Sequence, residues 1–178
     1  CRTDDARLVI LNAKDAAERG AEIRTRARVV RARRADGLWE ATLRPQPRGE
    51  PHAVRARGLV NAAGPWIAQV MEQALERRGY GHLRLVKGSH LLFPRLYEGA
   101  HAYILQNPDR RVVFAIPFLD RYTLVGTTDV PFSGDPEGAA IDPGEASYLC
   151  EALERYFERP VRPEQAVWSF AGVRPLFE

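Results

Sequence analysis

Apolar positions change period along the chain. Ala6, Val9, Ile10, Ala13 and Ala17 recur at three- and four-residue spacing, the signature of a helix with one covered face. Asp4 and Asp5 precede it as capping residues and Gly20 ends it. From Ile23 to Arg34 the period falls to two. Ile23, Thr25, Ala27 and Val29 point one way, and Arg24, Arg26 and Arg28 the other. Asp36-Gly37 is a hairpin signal, and Leu38 to Leu43 forms the returning strand. Arg44 to Pro51 holds three prolines and a glycine and reads as an exposed loop. A third strand is predicted over His52 to Asn61. It runs into Leu59-Val60-Asn61-Ala62-Ala63-Gly64-Pro65-Trp66, read as a buried strand end, a tight turn and a helix start. That helix carries Ile67, Val70, Met71, Ala74 and Leu75 on one side, and stops near Arg77 and Arg78 with Gly79 as its C′ residue.

Beyond Gly79 the pattern is that of strands. Leu83 to Pro94 is a strand interrupted by Lys87-Gly88-Ser89-His90. Ala102 to Leu105 is a short strand followed by an Asn107-Pro108-Asp109 turn. Val112 to Phe118 and Tyr122 to Thr128 make a hairpin around Leu119-Asp120-Arg121. These runs are rich in β-branched and aromatic residues, as antiparallel strands are. Asp142-Pro143-Gly144-Glu145 is a capping-box start for a helix with Ala146, Leu149, Cys150, Leu153, Tyr156 and Phe157 on one side. Pro160 ends it, and Val167 to Ala171 is a last strand leading into Gly172-Val173-Arg174-Pro175-Leu176. The expected architecture is α+β, with a boundary that divides residues 1–82 from 83–178.

Composition narrows the class. At 45% hydrophobic and 28% charged residues the chain is globular rather than disordered. The net charge of +3 is carried almost wholly by arginine, with only Lys14 and Lys87 as lysines. Cys1 and Cys150 define no disulfide framework or metal set. No apolar run has the length of a membrane span. Arg24, Arg26, Arg28, Arg31, Arg33 and Arg34 form a basic ribbon, but few aromatic residues interleave to stack bases, so a solvated strand face is favoured over a nucleic-acid surface.

Three clusters carry candidate chemistry. In Lys87-Gly88-Ser89-His90, a strand puts Lys87 and Ser89 on one face and His90 on the other, and His90 is a candidate proton acceptor near neutral pH. Arg174, enclosed by Gly172, Val173 and Pro175, offers a planar fork for a carboxylate or phosphate. Gly126-Thr127-Thr128-Asp129 ends a strand with two hydroxyls and a carboxylate. The turn at Ala62, Ala63 and Gly64 is of the kind that brings backbone groups up to a cofactor.

Taken in order, Asp4-Asp5-Ala6-Arg7-Leu8, Arg57 through Trp66, Val86 through His90, Ala102 through Asn107, Ile116-Pro117, Val125 through Asp129 and Gly172 through Leu176 resemble the FAD-dependent, respiratory glycerol-3-phosphate dehydrogenases. The resemblance implies an incomplete flavoprotein fold of the glycine-oxidase and D-amino-acid-oxidase type. Residues 1–82 would be the middle of an α/β FAD-binding domain, and 83–178 a substrate domain on an antiparallel sheet. It implies hydride transfer from C2 of sn-glycerol 3-phosphate to FAD, with electrons passing to quinone at the cytoplasmic face of a membrane, where the protein sits peripherally. It makes His90 the base and Arg174 the phosphate clamp, with Lys87, Thr127 and Thr128 lining the substrate pocket. Val29, Ala62, Ala63 and Gly64 would lie along FAD. The Gly-rich pyrophosphate turn of the family is absent, so the chain reads as an internal fragment, inactive by itself. Two other readings stay open: a flavin amine or amino-acid oxidase of the same fold, and a non-enzymatic phosphate- or nucleic-acid-binding module.

Overall fold

The structure is a computed structural model that describes residues 3–77 and 83–177. The described residues among 1–63 and 67–80 form one compact unit, and those among 64–66 and 81–178 a second. In the first unit, α1 (Asp5–Glu18) starts at Asp4, whose carboxylate accepts the Arg7 N–H at 3.1 Å. Gly20 follows with φ +93°. Leu8, Val9, Ile10 and Leu11 of α1 remain exposed.

Strands β1 (Ala27–Ala35), β2 (Leu38–Pro45) and β3 (His52–Ala56) form an antiparallel meander. Asp36 and Gly37 both take positive φ, +49° and +77°, which makes the two-residue turn whose twist suits a hairpin. β1 begins at Ala27 rather than Ile23, because Arg26 turns the chain with φ +53°. A register shift between Val29 and Arg31 then breaks the simple alternation. The arginine ribbon meets the chain's own groups. Arg24 pairs with Glu22 at 2.6 Å, Arg31 with Glu76 at 3.7 Å and Arg33 with Glu40 at 2.8 Å, while Arg34 lies over the Trp39 ring. This is the solvated-face reading.

Two expectations fail in this unit. β3 stops at Ala56 instead of Asn61, and Val60 is 87% exposed. A strand exists through its ladder, and residues 57–63 pair with no strand among the described residues. The following segment is helical but mixed: a 3₁₀ turn at Gly64–Trp66, then α2 (Ile67–Gln69), then a π turn at Val70–Ala74. It closes by Leu75 N–H donating to the Val70 carbonyl at 3.1 Å, and Glu76 leaves it with φ +52°. It therefore ends before Arg77. Arg78 and Gly79 lie outside the described residues.

The second unit is built on β4 (Leu83–Pro94), one continuous strand through Lys87-Gly88-Ser89-His90. The expected interruption does not occur, because β4 is held along both edges. On one edge β9 (Trp168–Phe177) pairs with it from Leu83 to Leu92. On the other, β7 (Tyr122–Gly126) pairs with His90 to Pro94 and β8 (Val130–Pro131) with Val86 and Lys87. β5 (Tyr103–Gln106) and β6 (Val112–Phe118) extend the sheet beyond β7.

One face of this sheet is the core. Leu91, Phe93, Leu105, Val113, Ala115 and Val125 pack against Leu149, Cys150 and Leu153 of α3 (Pro143–Glu154). The capping box is complete. Asp142 accepts the Glu145 N–H at 3.0 Å, and Glu145 accepts the Asp142 N–H at 3.0 Å. Tyr156 and Phe157 follow the end of α3 rather than continuing its face, and both their N–H groups donate to the Leu153 carbonyl at 2.9 Å. Burial pushes the Cys150 thiol up to about 11, so it packs as a small apolar group.

Leu149 has 0% exposure beneath the sheet. Leu149→Ala is expected to cost about 2–5 kcal/mol in urea unfolding, and Asp142→Ala about 1 kcal/mol. If Leu149→Ala cost no more than Asp142→Ala, α3 would not be the lid of this core.

Candidate active site

Alternation along β4 sends Lys87, Ser89, Leu91 and Phe93 toward α3 and leaves Val86, Gly88, His90 and Leu92 on the face away from α3, open at half-buried His90 while Val86, Gly88 and Leu92 are buried. Directly opposed residues of an antiparallel pair share a face. The register sets Phe170 and Gly126 beside His90, Gly172 beside Gly88, and Arg174 beside Val86. The open face thus carries His90, Phe170, Gly126, Gly88, Gly172 and Arg174 across three strands.

His90 is fixed on two sides. Its ring stacks on Phe170 with centroids 4.6 Å apart and planes 6° from parallel. Its other edge lies on Gly126, where an added Cβ would overlap the ring and come 2.7 Å from Nε2. His90 Nδ1 is the only buried side-chain polar atom without a hydrogen-bond partner among the described residues. Burial first, and the nearby Arg174 guanidinium second, hold the imidazole below its ordinary 6.5, so it is neutral at pH 7. A neutral imidazole with an unpaired buried nitrogen has unused capacity to bind a ligand's polar group or accept its proton.

Arg174 extends back along the sheet toward Gly88. A Cβ on Gly88 would lie 3.5 Å from its Nη2 and would overlap the Thr127 hydroxyl. Arg174 Nη2 donates to Asp129 Oδ1 at 3.0 Å and to the Thr128 carbonyl at 3.4 Å. With 49% of its side chain exposed, the guanidinium keeps donors free for a ligand. Gly88 and His90 are two residues apart, about 7 Å along a strand. The proton acceptor and the forked cation therefore lie on the same face of the sheet.

His90, Arg174 and Thr127 come together as expected, but Lys87 and Thr128 do not join them. Lys87 Nζ reaches Glu145 Oε2 at 2.8 Å, the Ala140 carbonyl at 2.8 Å and Asp142 Oδ2 at 3.5 Å. Its hydrogen bond to Glu145 is the main reason its pKa is raised. Thr128 is buried, donating to Glu145 Oε1 at 2.6 Å and accepting the Ser89 N–H at 2.9 Å. Both side chains sit beneath the sheet, on the far side from His90. The strand alternation of Lys87 and His90 already contained this result. Sequence reasoning missed Phe170 and Glu145. No local signal marks Phe170, whose partner lies 80 positions earlier and is found only through the β4–β9 register.

The candidate cofactor residues lie elsewhere. Val29 is half-buried in β1 opposite Leu43. Asn61 shapes the turn, accepting the Ala63 N–H at 3.3 Å and donating to the Ile67 carbonyl at 3.2 Å. Ala62 is exposed. Gly64 has φ +54°, and a Cβ there would meet nothing within 4 Å. The glycine answers a backbone angle, not a crowded approach.

Known proteins fit this geometry. Residues 1–178 match the model of a family described as FAD dependent oxidoreductase. A glycerol-3-phosphate dehydrogenase of Pseudomonas aeruginosa is 51% identical over 99% of this chain and 34% of its own length. A D-erythritol 1-phosphate dehydrogenase of Brucella abortus is 47% identical over 100% of this chain and 36% of its own. The chain thus spans about a third of the length of these curated relatives. The crystal structure of the glycerol-3-phosphate dehydrogenase from Bacillus halodurans complexed with FAD superimposes with a TM-score of 0.88 at 30% identity, covering 99% of this chain and 36% of that one. It carries the same flavoprotein fold expected from the motifs, of which this chain is a part. With the family model matching from end to end, the chain belongs to the FAD-dependent oxidoreductases.

Proposed function

We propose that the intact protein oxidises sn-glycerol 3-phosphate to dihydroxyacetone phosphate. The observation that carries this reading is His90, neutral and with Nδ1 unpartnered, on the same sheet face as the Arg174 fork. Residues 1–82 are read as part of the FAD-binding domain and 83–178 as the substrate domain. FAD fits the residues present, since the open face beside the unpaired His90 nitrogen exposes Phe114, Trp168 and Phe170 for a planar partner. Val29, Ala62, Ala63 and Gly64 are read, on the resemblance to the family, as residues for its adenosine half. When bound, FAD supplies the acceptor for the hydride that leaves C2.

The chain's own residues do the rest. Arg174 binds the phosphate through charge-assisted hydrogen bonds, and Thr127 stands beside it at Gly88. His90 takes the C2 hydroxyl proton as the C2–H bond breaks. The Phe170 stack holds the imidazole plane, and Gly126 lets the ring lie close to the sheet. The reading extends to quinone as the onward electron acceptor and to peripheral attachment at the cytoplasmic face of a membrane, both supported by the resemblance to respiratory enzymes. No helix among the described residues is long and apolar enough to cross a membrane.

A second reading is favoured by the Brucella abortus relative, whose identity to this chain is close to that of the Pseudomonas one. An Arg fork and a neutral His suit any polyol phosphate, so D-erythritol 1-phosphate is the alternative substrate.

Dye reduction by the full-length, flavin-loaded protein tests this. sn-Glycerol 3-phosphate is expected to reduce the dye. His90→Ala should lower kcat by about 100-fold or more, and Arg174→Ala should raise KM roughly 10- to 100-fold. Faster reduction by D-erythritol 1-phosphate would move the substrate to the second reading. Reduction by amines or amino acids alone would reject phosphate-ester oxidation.

The pH profile follows from the depressed His90 pKa. The base is active when deprotonated, so kcat/KM should fall only as pH drops below about 6.5, through the His90 pKa, and stay flat above it. His90→Ala should abolish that acid limb. A limb centred above pH 7 would contradict the burial of the ring. Gly126→Ala, which pushes the imidazole off its seat, should lower kcat more than it changes KM.

A further inference from the structure

Glu145 is a carboxylate with 5% of its side chain exposed, in the first turn of α3, and the proposed reaction makes no use of it. Its contacts divide by oxygen. Oε2 accepts the Asp142 N–H at 3.0 Å and pairs with Lys87 Nζ at 2.8 Å. Oε1 accepts from Ser89 Oγ at 2.9 Å and from Thr128 Oγ1 at 2.6 Å. A capping box needs only the Asp142 contact and leaves its glutamate free to stay in water. This glutamate instead reaches beneath the sheet and ties together hydroxyls from two separate segments.

The place it ties is a gap in the ladder. β7 pairs with β4 down to His90, opposite Gly126, and β8 takes over at Lys87, opposite Val130. Residues 127–129 cross between them. The backbone bond there, Thr128 N–H to the Ser89 carbonyl, is long at 3.4 Å. Side chains do the holding: Ser89 N–H donates to Thr128 Oγ1 at 2.9 Å, and Thr128 Oγ1 donates to Glu145. The outward side of the same three residues aims Arg174, through the Thr128 carbonyl and Asp129 Oδ1.

We propose that Glu145 is a positioning residue for the phosphate clamp: by anchoring Thr128 from below, it sets the two acceptors that hold the Arg174 guanidinium above the sheet. This rests on the reading of Arg174 as that clamp. Glu145 touches no substrate, so its loss should appear in affinity for the phosphate group and not in the chemical step.

The test uses full-length, flavin-loaded protein, with inorganic phosphate binding by calorimetry, KM and kcat for sn-glycerol 3-phosphate, and the thermal midpoint. Glu145→Leu alone would leave Lys87 buried without its counter-charge, so the paired variant Lys87→Met/Glu145→Leu is made, in which apolar groups of similar volume replace the ion pair. Thr128→Val removes the anchoring hydroxyl and keeps the shape, and Thr128→Ser restores the hydroxyl. The paired variant and Thr128→Val are expected to weaken phosphate binding and raise KM about tenfold, short of the ~100-fold that a 1 Å misplacement can cost, with kcat within about twofold of wild type. Thr128→Ser should recover the wild-type phosphate affinity. Folded variants that bind phosphate as wild type does would overturn the inference, and so would a fall in kcat at unchanged phosphate affinity. Should the paired variant not fold, the Thr128→Val and Thr128→Ser comparison decides. Arg174→Ala separates the two levels. If it leaves phosphate affinity unchanged, the clamp reading fails and takes this inference with it. If Arg174→Ala weakens binding while the Glu145 and Thr128 variants do not, only the positioning role is lost.

Discussion

The second unit depends on β4 being paired along both edges while its two faces meet different surroundings. A strand held by β9 on one side and by β7 and β8 on the other cannot slip by one residue without moving every side chain to the opposite face. The lower face is locked by Leu91 and Phe93 against Leu149 and Leu153. That apolar layer fixes which way His90 points. Chemistry on the upper face therefore draws its precision from packing on the lower one, which is how a rigid element holds a functional side chain more tightly than a loop does.

Electrostatics on the two faces follow the same division. Below the sheet, the buried Lys87 ammonium meets Glu145, Asp142 and the Ala140 carbonyl, so its charge is compensated in place. Above it, Arg174 is half-exposed and among the described residues hydrogen-bonds to Asp129 and a carbonyl. Arg174 is thus a cation already oriented but not fully neutralised. Burial first, and the same positive charge second, hold the His90 pKa below its ordinary value.

Much of this was legible in the sequence where the signal is local. The Asp142 to Glu145 capping box, the Asp36-Gly37 hairpin and the opposite faces of Lys87 and His90 each follow from rules spanning a few residues. The ordered motifs pointed to the family because several weak signals agreed along the whole chain. Signals that depend on distant partners were not legible. The Phe170 stack needs the register of a strand far along the chain. Thr128 reads from its sequence neighbours as a candidate pocket hydroxyl, yet one residue of alternation separates it from Thr127 and turns it toward Glu145. The strand expected through Leu59 and Val60 has apolar residues but no ladder among the described residues. β propensity alone does not make a strand.

Two glycines lie on the sheet face that carries His90 and Arg174. Gly88 and Gly172 face each other across β4 and β9, between the position of Arg174 and that of His90. Neither contributes a side chain of its own to that face. The space above Gly88 is taken by Thr127 and the Arg174 fork, whereas a Cβ on Gly172 would meet nothing within 4 Å. The free floor is therefore on the β9 side of the row. A side chain at Gly88 would overlap the Thr127 hydroxyl, and that steric demand explains why glycine, poorly suited to the interior of a strand, occupies that position.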